Sequence, residues 1–480
     1  MNSQIGAQHP KGRLFVIALG LAQGLVYSDT AAFATALTTI ERELELSHSA
    51  AIWMLNTFII AYGAFVGVAA RMVEDTSAQR VLGLGVCIFV LGSVAGAALP
   101  VGWVPAEPWL IACRALQGIG GALITPSAIV MVLEDVPDDQ RGRIVSLFTG
   151  SGVTLFAAAP LIGGFLAQFL SWRMVFLFTA LTGPLTLLTI RRSQSRTATS
   201  FSTDLRMIWR LFGMGAWLAL GLGGLIASLG WLAQLGSTQR APGHTLLFLG
   251  ATLIILACGL WRDQCLTKPV LPLSLLTKPT FVVRAGLFAL IASFLPAVLI
   301  FAAHAMQIFL DVSPSQAGFY MLVLVATRLL VARPAGALYD RVSHLLPFAI
   351  GAPLYTIGFF LFAQSLGAAR LDLGLVGLAL CGLGVGLSMS TSYTFAITLP
   401  LDLAQESVVG LVQTIRRITV AMLIVLVSAT QYGSSQKAAT LEQLDLLVWF
   451  GGATTVLIWL FYAQQTRMRP SSAGSTKPKQ

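Results

Sequence analysis

Fourteen apolar runs divide this chain, each about twenty residues long and set off from the next by a more polar stretch. They cover residues 14–38, 51–70, 81–99, 108–133, 144–168, 173–190, 211–235, 244–261, 284–309, 317–338, 345–366, 372–398, 408–431 and 444–464. Rising about 1.5 Å per residue, such a run makes a helix roughly 30 Å long, which matches the hydrocarbon thickness of a bilayer. None shows the short alternating segments of a membrane barrel. The pattern predicts an all-α polytopic membrane protein, and an even number of crossings leaves both termini on one side.

Composition agrees with this. Of 480 residues, 56% are hydrophobic and 10% charged, and the mean hydropathy is +0.80, too few charges to cover a soluble fold of this size. The formal charge of +10 would suit a nucleic-acid partner if the cations shared one soluble surface. Instead most occupy every second interval: Lys11 and Arg13, Arg71 and Arg80, Arg141 and Arg143, the stretch from Arg191 to Arg210, the stretch from Arg262 to Arg284, Arg333 and Arg341, Arg416 and Arg417, and the tail after Arg467. The alternate intervals hold only Arg42, Arg173, Arg240, Arg370 and Lys437. Such a bias marks the first set as cytoplasmic. The expectation is a multi-pass protein of the cytoplasmic membrane with both termini in the cytoplasm, its excess charge serving topology beside the lipids rather than nucleic acid. Cys87, Cys113, Cys258 and Cys381 lie within runs and Cys265 in a loop, with neither metal-ligand spacing nor a disulfide framework.

Polar residues inside the runs carry the candidate chemistry, because each is costly in hydrocarbon unless it faces protein or water. Asp29 is the one acidic residue well inside a run. It must be protonated, paired with a cation, at the edge of an aqueous cavity, or close enough to a helix end to reach the outer surface. Arg114 and Arg328 are the cations assigned to run interiors. Tyr27, Asn56, Gln117, His304 and Gln307 join Arg328 as side chains expected to line a substrate cavity, with His304 and Gln307 one turn apart on one helix face. Packing is the plainer role for such a set.

Several short motifs agree on a family. Arg114-Ala-Leu-Gln117-Gly118-Ile-Gly120 resembles the fourth-helix signature of the major facilitator superfamily. Gly150, Gly152, Pro160, Gly163 and Gly164 resemble its fifth-helix antiporter motif, with Ala159 where the family has glycine. The segment Gly67 to Arg80 resembles its loop motif, with Glu74 at the acidic position, Asp75 at the arginine position and Ser77 at a glycine position. A better-preserved copy is Pro334-Ala-Gly336-Ala-Leu338-Tyr-Asp340-Arg341. Asp29-Thr30, and Gln307 followed by Ser313-Pro314, resemble the fourteen-span drug:proton antiporters of that family.

The resemblance implies the major facilitator fold. Six-helix bundles would occupy 1–190 and 284–466, joined through a cytoplasmic linker at 191–210, two extra transmembrane helices at 211–262 and an amphipathic surface segment at 263–283, with a disordered tail at 467–480. The halves repeat: Cys381-Gly-Leu-Gly-Val-Gly-Leu aligns with Gln117-Gly-Ile-Gly-Gly-Ala-Leu. The resemblance also implies export of lipophilic small molecules in exchange for protons, powered by the proton gradient with no cofactor. Asp29 would bind the proton and Arg114 tune its affinity, both in an aqueous chamber between the bundles. Glu74, Asp75, Arg80, Gly336, Asp340 and Arg341 would hold the cytoplasmic gate. One acid against Arg114 and Arg328 favours neutral or anionic lipophilic substrates. A monomer is expected. A dedicated siderophore or metabolite exporter, or a uniporter, is the alternative. An enzyme is opposed by the lack of His-Glu-x-x-His, Gly-x-Ser-x-Gly and Walker motifs, and a membrane sensor by the lack of a soluble domain.

Overall fold

A computed structural model describes residues 12–100, 102–134, 136–190, 204–233, 242–265, 269–397, 405–428 and 436–467. The first half holds α1 (Arg13–Glu43), α2 (His48–Asp75), α3 (Ala78–Ala97), α4 (Ala106–Leu133), α5 (Asp138–Phe169), α6 (Arg173–Ala180) and α7 (Thr182–Ile190). Two helices, α8 (Asp204–Ala233) and α9 (Pro242–Gln264), lead to the second half. That half comprises α10 (Pro279–Phe309), α11 (Pro314–Arg341), α12 (Leu346–Gly367), α13 (Leu371–Ile397), α14 (Gln405–Ser428) and α15 (Gln436–Arg467). No strand occurs among the described residues.

Among the described residues, 13 helices are long and apolar enough to cross a membrane. The remaining apolar run, 173–190, is not one helix as expected: α6 and α7 are separated at Leu181. Pro184 has no N–H to return to the Ala180 carbonyl, so the hydrogen-bond ladder fails there. Elsewhere polar turns end the helices. Ser47 caps α2 by accepting from Ala50 N at 3.1 Å, and Ser313 and Gln316 form a capping box on α11 with Pro314 at its first turn.

Backbones approach closely where side chains are absent. In the first half a Cβ on Gly120 of α4 would lie 2.7 Å from the Gly85 carbonyl of α3. In the second half a Cβ on Gly384 of α13 would lie 2.5 Å from the Gly351 carbonyl of α12. Gly120 and Gly384 are equivalent positions in the aligned repeat, so the internal repeat is also a repeat of contacts.

The segment after α9, expected at 263–283 to lie on the surface, is instead partly buried. Asp263 accepts from Val270 N at 2.7 Å and Leu271 N at 2.9 Å, and Gln264 donates to the Leu271 carbonyl at 3.0 Å. Val270, Leu271 and Leu275 are buried, the first two against Gly67 of α2. Only a short 3-10 turn, Leu273–Thr277, precedes α10. Of the linker expected at 191–210, residues 204–210 belong to α8 and 191–203 lie outside the described residues; of the tail expected at 467–480, Arg467 ends α15 and 468–480 lie outside them.

The halves meet along α1–α10, α2–α14 and α5–α11, with α8 lying beside α2 and α14. Away from the face where α1 begins and α15 ends, here the terminal face, α5 and α11 touch through backbone: Gly164 lies on Pro314, and Gly318 on Pro160. Toward the terminal face the same two helices present Gly150 and Gly336, and a Cβ added to either would meet no atom within 4 Å. Contact between α5 and α11 is thus tightest away from the terminal face, whereas α2 and α14 approach each other toward it, where a Cβ on Gly410 would lie 3.4 Å from the Gly67 Cα.

Candidate functional site

Asp29 on α1 and Arg114 on α4 form an ion pair inside the first half, with Arg114 Nη1 2.5 Å from Asp29 Oδ2. Arg114 and Gln117 stand three residues apart, hence on one face of α4. Arg114 Nη1 also donates to Gln117 Oε1 at 2.8 Å, and Arg114 Nε donates to the Met54 carbonyl of α2 at 3.3 Å. The Gln117 amide then donates to Ser93 Oγ on α3 at 2.8 Å, to Thr179 Oγ1 on α6 at 3.3 Å and to Asp29 Oδ1 at 3.4 Å. Phe33 and Phe58 cover the guanidinium, their ring centroids 4.4 and 4.6 Å from its carbon. Arg114 Nη2 is left without a hydrogen-bond partner.

Helices α1 and α4 can hold this geometry because their neighbours lack bulk. Gly118 lies on α2, Gly120 on α3 and Gly121 on Val26 of α1, so the glycines open three sides of α4. On the other side of α1, a Cβ on Gly152 of α5 would lie 2.8 Å from the Gly20 carbonyl, and Gly163 sits on Ala32. Thr35 of α1 donates to the Pro160 carbonyl at 3.1 Å. The antiporter-like motif thus clamps α5 to the helix bearing Asp29, and Gly164 extends the clamp to the second half. Gly150 does not take part, because it faces open space.

The pair does not sit in an aqueous chamber between the halves. Asp29 is 1% exposed and Arg114 0%; of the states open to Asp29, pairing with a cation is the one realised. Gln117, expected to line the substrate cavity, belongs instead to this sealed network. Thr38 of α1 donates to Gln307 Oε1 at 2.5 Å, which stitches α1 to α10. Both residues lie in a vestibule of about 690 Å³ on the face opposite the termini, together with Glu41, Arg42, Gln168 and Asp311. His304 is buried within α10. Asn56 is fully buried on α2 with neither amide atom hydrogen-bonded, on the helix face that carries Gly63 and Gly67 toward α14.

At the terminal face, Glu74 and Asp75 converge on Arg71 of their own helix, at 2.9 and 2.6 Å. Ser77 accepts from Arg80 N and caps α3. Arg341 ends α11 and is exposed, and the side chain of Asp340 lies outside the described residues.

Arg328 does lie between the halves, on α11, with its guanidinium 5.7 Å from the Phe156 ring of α5. The cations that sequence reasoning misplaces are Arg416 and Arg417. Expected among the cytoplasmic charges, they stand at the midpoint of α14, about 18 Å along a helix of 24 residues. Arg417 is 8% exposed, and its guanidinium lies 3.9 Å from the Tyr62 ring centroid on α2. Their inclusion in the apolar run 408–431 is the signal that could have placed them.

A profile described as Major Facilitator Superfamily matches residues 19–424. The chain is 23% identical over 392 residues to the multidrug resistance protein Stp of Mycobacterium tuberculosis, covering 80% of this chain and 69% of that one. It is 26% identical over 419 residues to the tetracenomycin C resistance and export protein of Streptomyces glaucescens, covering 82% and 72%. Among solved structures, a D-xylose–proton symporter superposes with a TM-score of 0.66 at 15% identity, covering 93% of this chain and 97% of the symporter. A POT family transporter crystallised with 5-aminolevulinic acid gives 0.65 at 16% identity, covering 97% and 98%.

Proposed function

We propose that this chain, which belongs to the Major Facilitator Superfamily, exports lipophilic small molecules across the cytoplasmic membrane in exchange for protons. The observation that carries this reading is the sealed Asp29–Arg114 pair. Among the described residues it holds the sole carboxylate at mid-depth in a spanning helix, and a proton taken up there cancels half of a buried ion pair. Protonation would free Arg114 from Asp29 and loosen α1 from α4. Because α1 also carries the Thr38 contact to α10 and the Thr35 contact to the Pro160 carbonyl of α5, against which Gly318 of α11 packs, that loosening would reach the α1–α10 seam directly and the α5–α11 seam through α5. A proton arriving from that side would thus favour opening there.

The cation bias puts the terminal face in the cytoplasm. Solute would enter from that compartment and leave to the other. Two of the relatives are named for drug resistance or export, which supports the direction. The working unit is a monomer, and its energy source is the proton gradient alone.

The test is transport by the purified chain in proteoliposomes, over a panel of lipophilic compounds, with and without an imposed pH gradient. Gradient-driven movement with mutual competition among unrelated compounds is expected. Movement of one compound alone would assign a dedicated exporter, and flux indifferent to the gradient would assign a uniporter.

A further inference from the structure

We propose that Arg416 and Arg417, with Tyr62 and Tyr27, form the recognition site for an organic anion carried on a lipophilic body. The proposal rests on the exporter reading above and names the charge class of its substrate.

The site is built from both halves. Arg417 lies over the Tyr62 ring, and Thr414, one turn earlier on α14, donates to the Gly63 carbonyl of α2 at 2.9 Å. Arg416 Nε donates to Gln413 Oε1 at 2.9 Å, and its guanidinium lies within electrostatic reach of Tyr27 on α1, Tyr62 on α2 and Tyr393 on α13. Two guanidinium groups on adjacent residues repel each other. At mid-membrane depth such a pair is retained at considerable cost unless something neutralises it. Nothing among the described residues does so: neither arginine has an ion pair there, and Arg417 Nε is buried without a hydrogen-bond partner. The one mid-depth carboxylate, Asp29, is already held by Arg114.

The surrounding donors are arranged to accept an anion. Tyr27 receives a hydrogen bond from Gln23 Nε2 at 2.9 Å on its oxygen, which leaves its O–H to donate elsewhere. Tyr62 commits its own O–H to Thr125 at 2.7 Å, so its contribution to Arg417 is the ring face. Around this charged centre the wall is aromatic: Phe288 packs on Tyr393, with ring centroids 5.5 Å apart. A carboxylate, sulfonate or acidic phenol bearing an apolar ring system supplies the missing charge and fits that wall, whereas a lipophilic cation meets two uncompensated positive charges. The same chemistry could come from the phosphate of an anionic lipid, and the experiment separates the two.

The probes are pyrenebutyrate, pyrenebutanol and pyrenebutylamine, which share one apolar body and differ in charge. Equilibrium binding to the full chain in phosphatidylcholine nanodiscs is measured by fluorescence, with empty nanodiscs subtracted. The wild type is expected to favour the anion over the alcohol by about tenfold or more, the worth of one charge-assisted hydrogen bond, and to disfavour the amine. Arg416→Gln and Arg417→Gln should bring the anion-to-alcohol ratio close to one, Arg417→Lys should keep part of it, and Tyr27→Phe should lower it several-fold. No preference for the anion in the wild type overturns the assignment, and that arm needs no variant to fold. A ratio preserved in both glutamine variants overturns it as well. If phosphatidylglycerol added to the nanodiscs erases the preference, the occupant is a lipid headgroup and the substrate assignment fails. Binding selectivity without gradient-driven flux would reject the exporter reading and leave the site standing; flux without selectivity would do the reverse.

Discussion

Asp29 and Arg114 stand 85 positions apart in sequence, yet their side chains meet at 2.5 Å in the interior of one helical bundle. Each is buried, so neither can be removed without stranding the other. Replacing one partner of a buried ion pair typically costs about 3–5 kcal/mol. Asp29→Asn and Arg114→Gln should each lower the thermal unfolding temperature in detergent. The double variant should lose clearly less than the two losses summed, because it leaves no uncompensated charge. Strict additivity would mean that the two side chains do not interact energetically.

The glycines of α5 separate into two kinds. Gly152 has α1 backbone where a side chain would go, and Gly150 has open space. Gly152→Leu should therefore force α5 away from α1 and destabilise the fold by at least about 1–3 kcal/mol. Gly150→Ala should be neutral or stabilising by up to about 1 kcal/mol, since alanine is the better helix former. Unfolding temperatures of the two purified variants compare them directly.

These contrasts mark what the sequence can reveal. The fourteen runs and the repeat joining Gly120 to Gly384 follow from local pattern, and the repeat and nearly all the runs have their counterparts in the structure. Sequence spacing also puts Arg114 and Gln117 on one face. It cannot say which helix that face meets, so it points Gln117 to the cavity and the Asp29–Arg114 couple to an aqueous chamber, where the structure seals all three in one buried network. Arg416 and Arg417 read as cytoplasmic because a basic pair at alternating intervals looks like a topology signal, although both lie within an apolar run. Gly150 and Gly152 look alike in the motif and differ only by the roughly 200° between their directions on the helix.

Gln168 at the end of α5 accepts from both N and Oγ of Ser315 at the start of α11, at 3.1 and 2.5 Å. This contact closes the seam on the face opposite the termini. In a background lacking the 5 native cysteines, Gln168→Cys with Ser315→Cys should crosslink readily and stop turnover, and reduction should restore it. Crosslinking that leaves transport intact would show that this seam need not open.

Asp263 holds the segment before α10 through two backbone amides. Asp263→Ala leaves both buried donors without an acceptor, a cost of about 1–3 kcal/mol for each unsatisfied group. Hydrogen exchange at Val270 and Leu271 should speed up while the α1–α4 network stays protected. Unchanged exchange at those amides would mean that the packing of Leu275 and its neighbours alone fixes the segment.

The most direct test of coupling through Asp29 compares two transport modes of Asp29→Asn in one batch of proteoliposomes. Exchange of labelled for unlabelled solute at equal pH should continue, showing a folded and cycling protein, while accumulation driven by a pH gradient should vanish. Gradient-driven accumulation at the wild-type level in that variant would contradict the account.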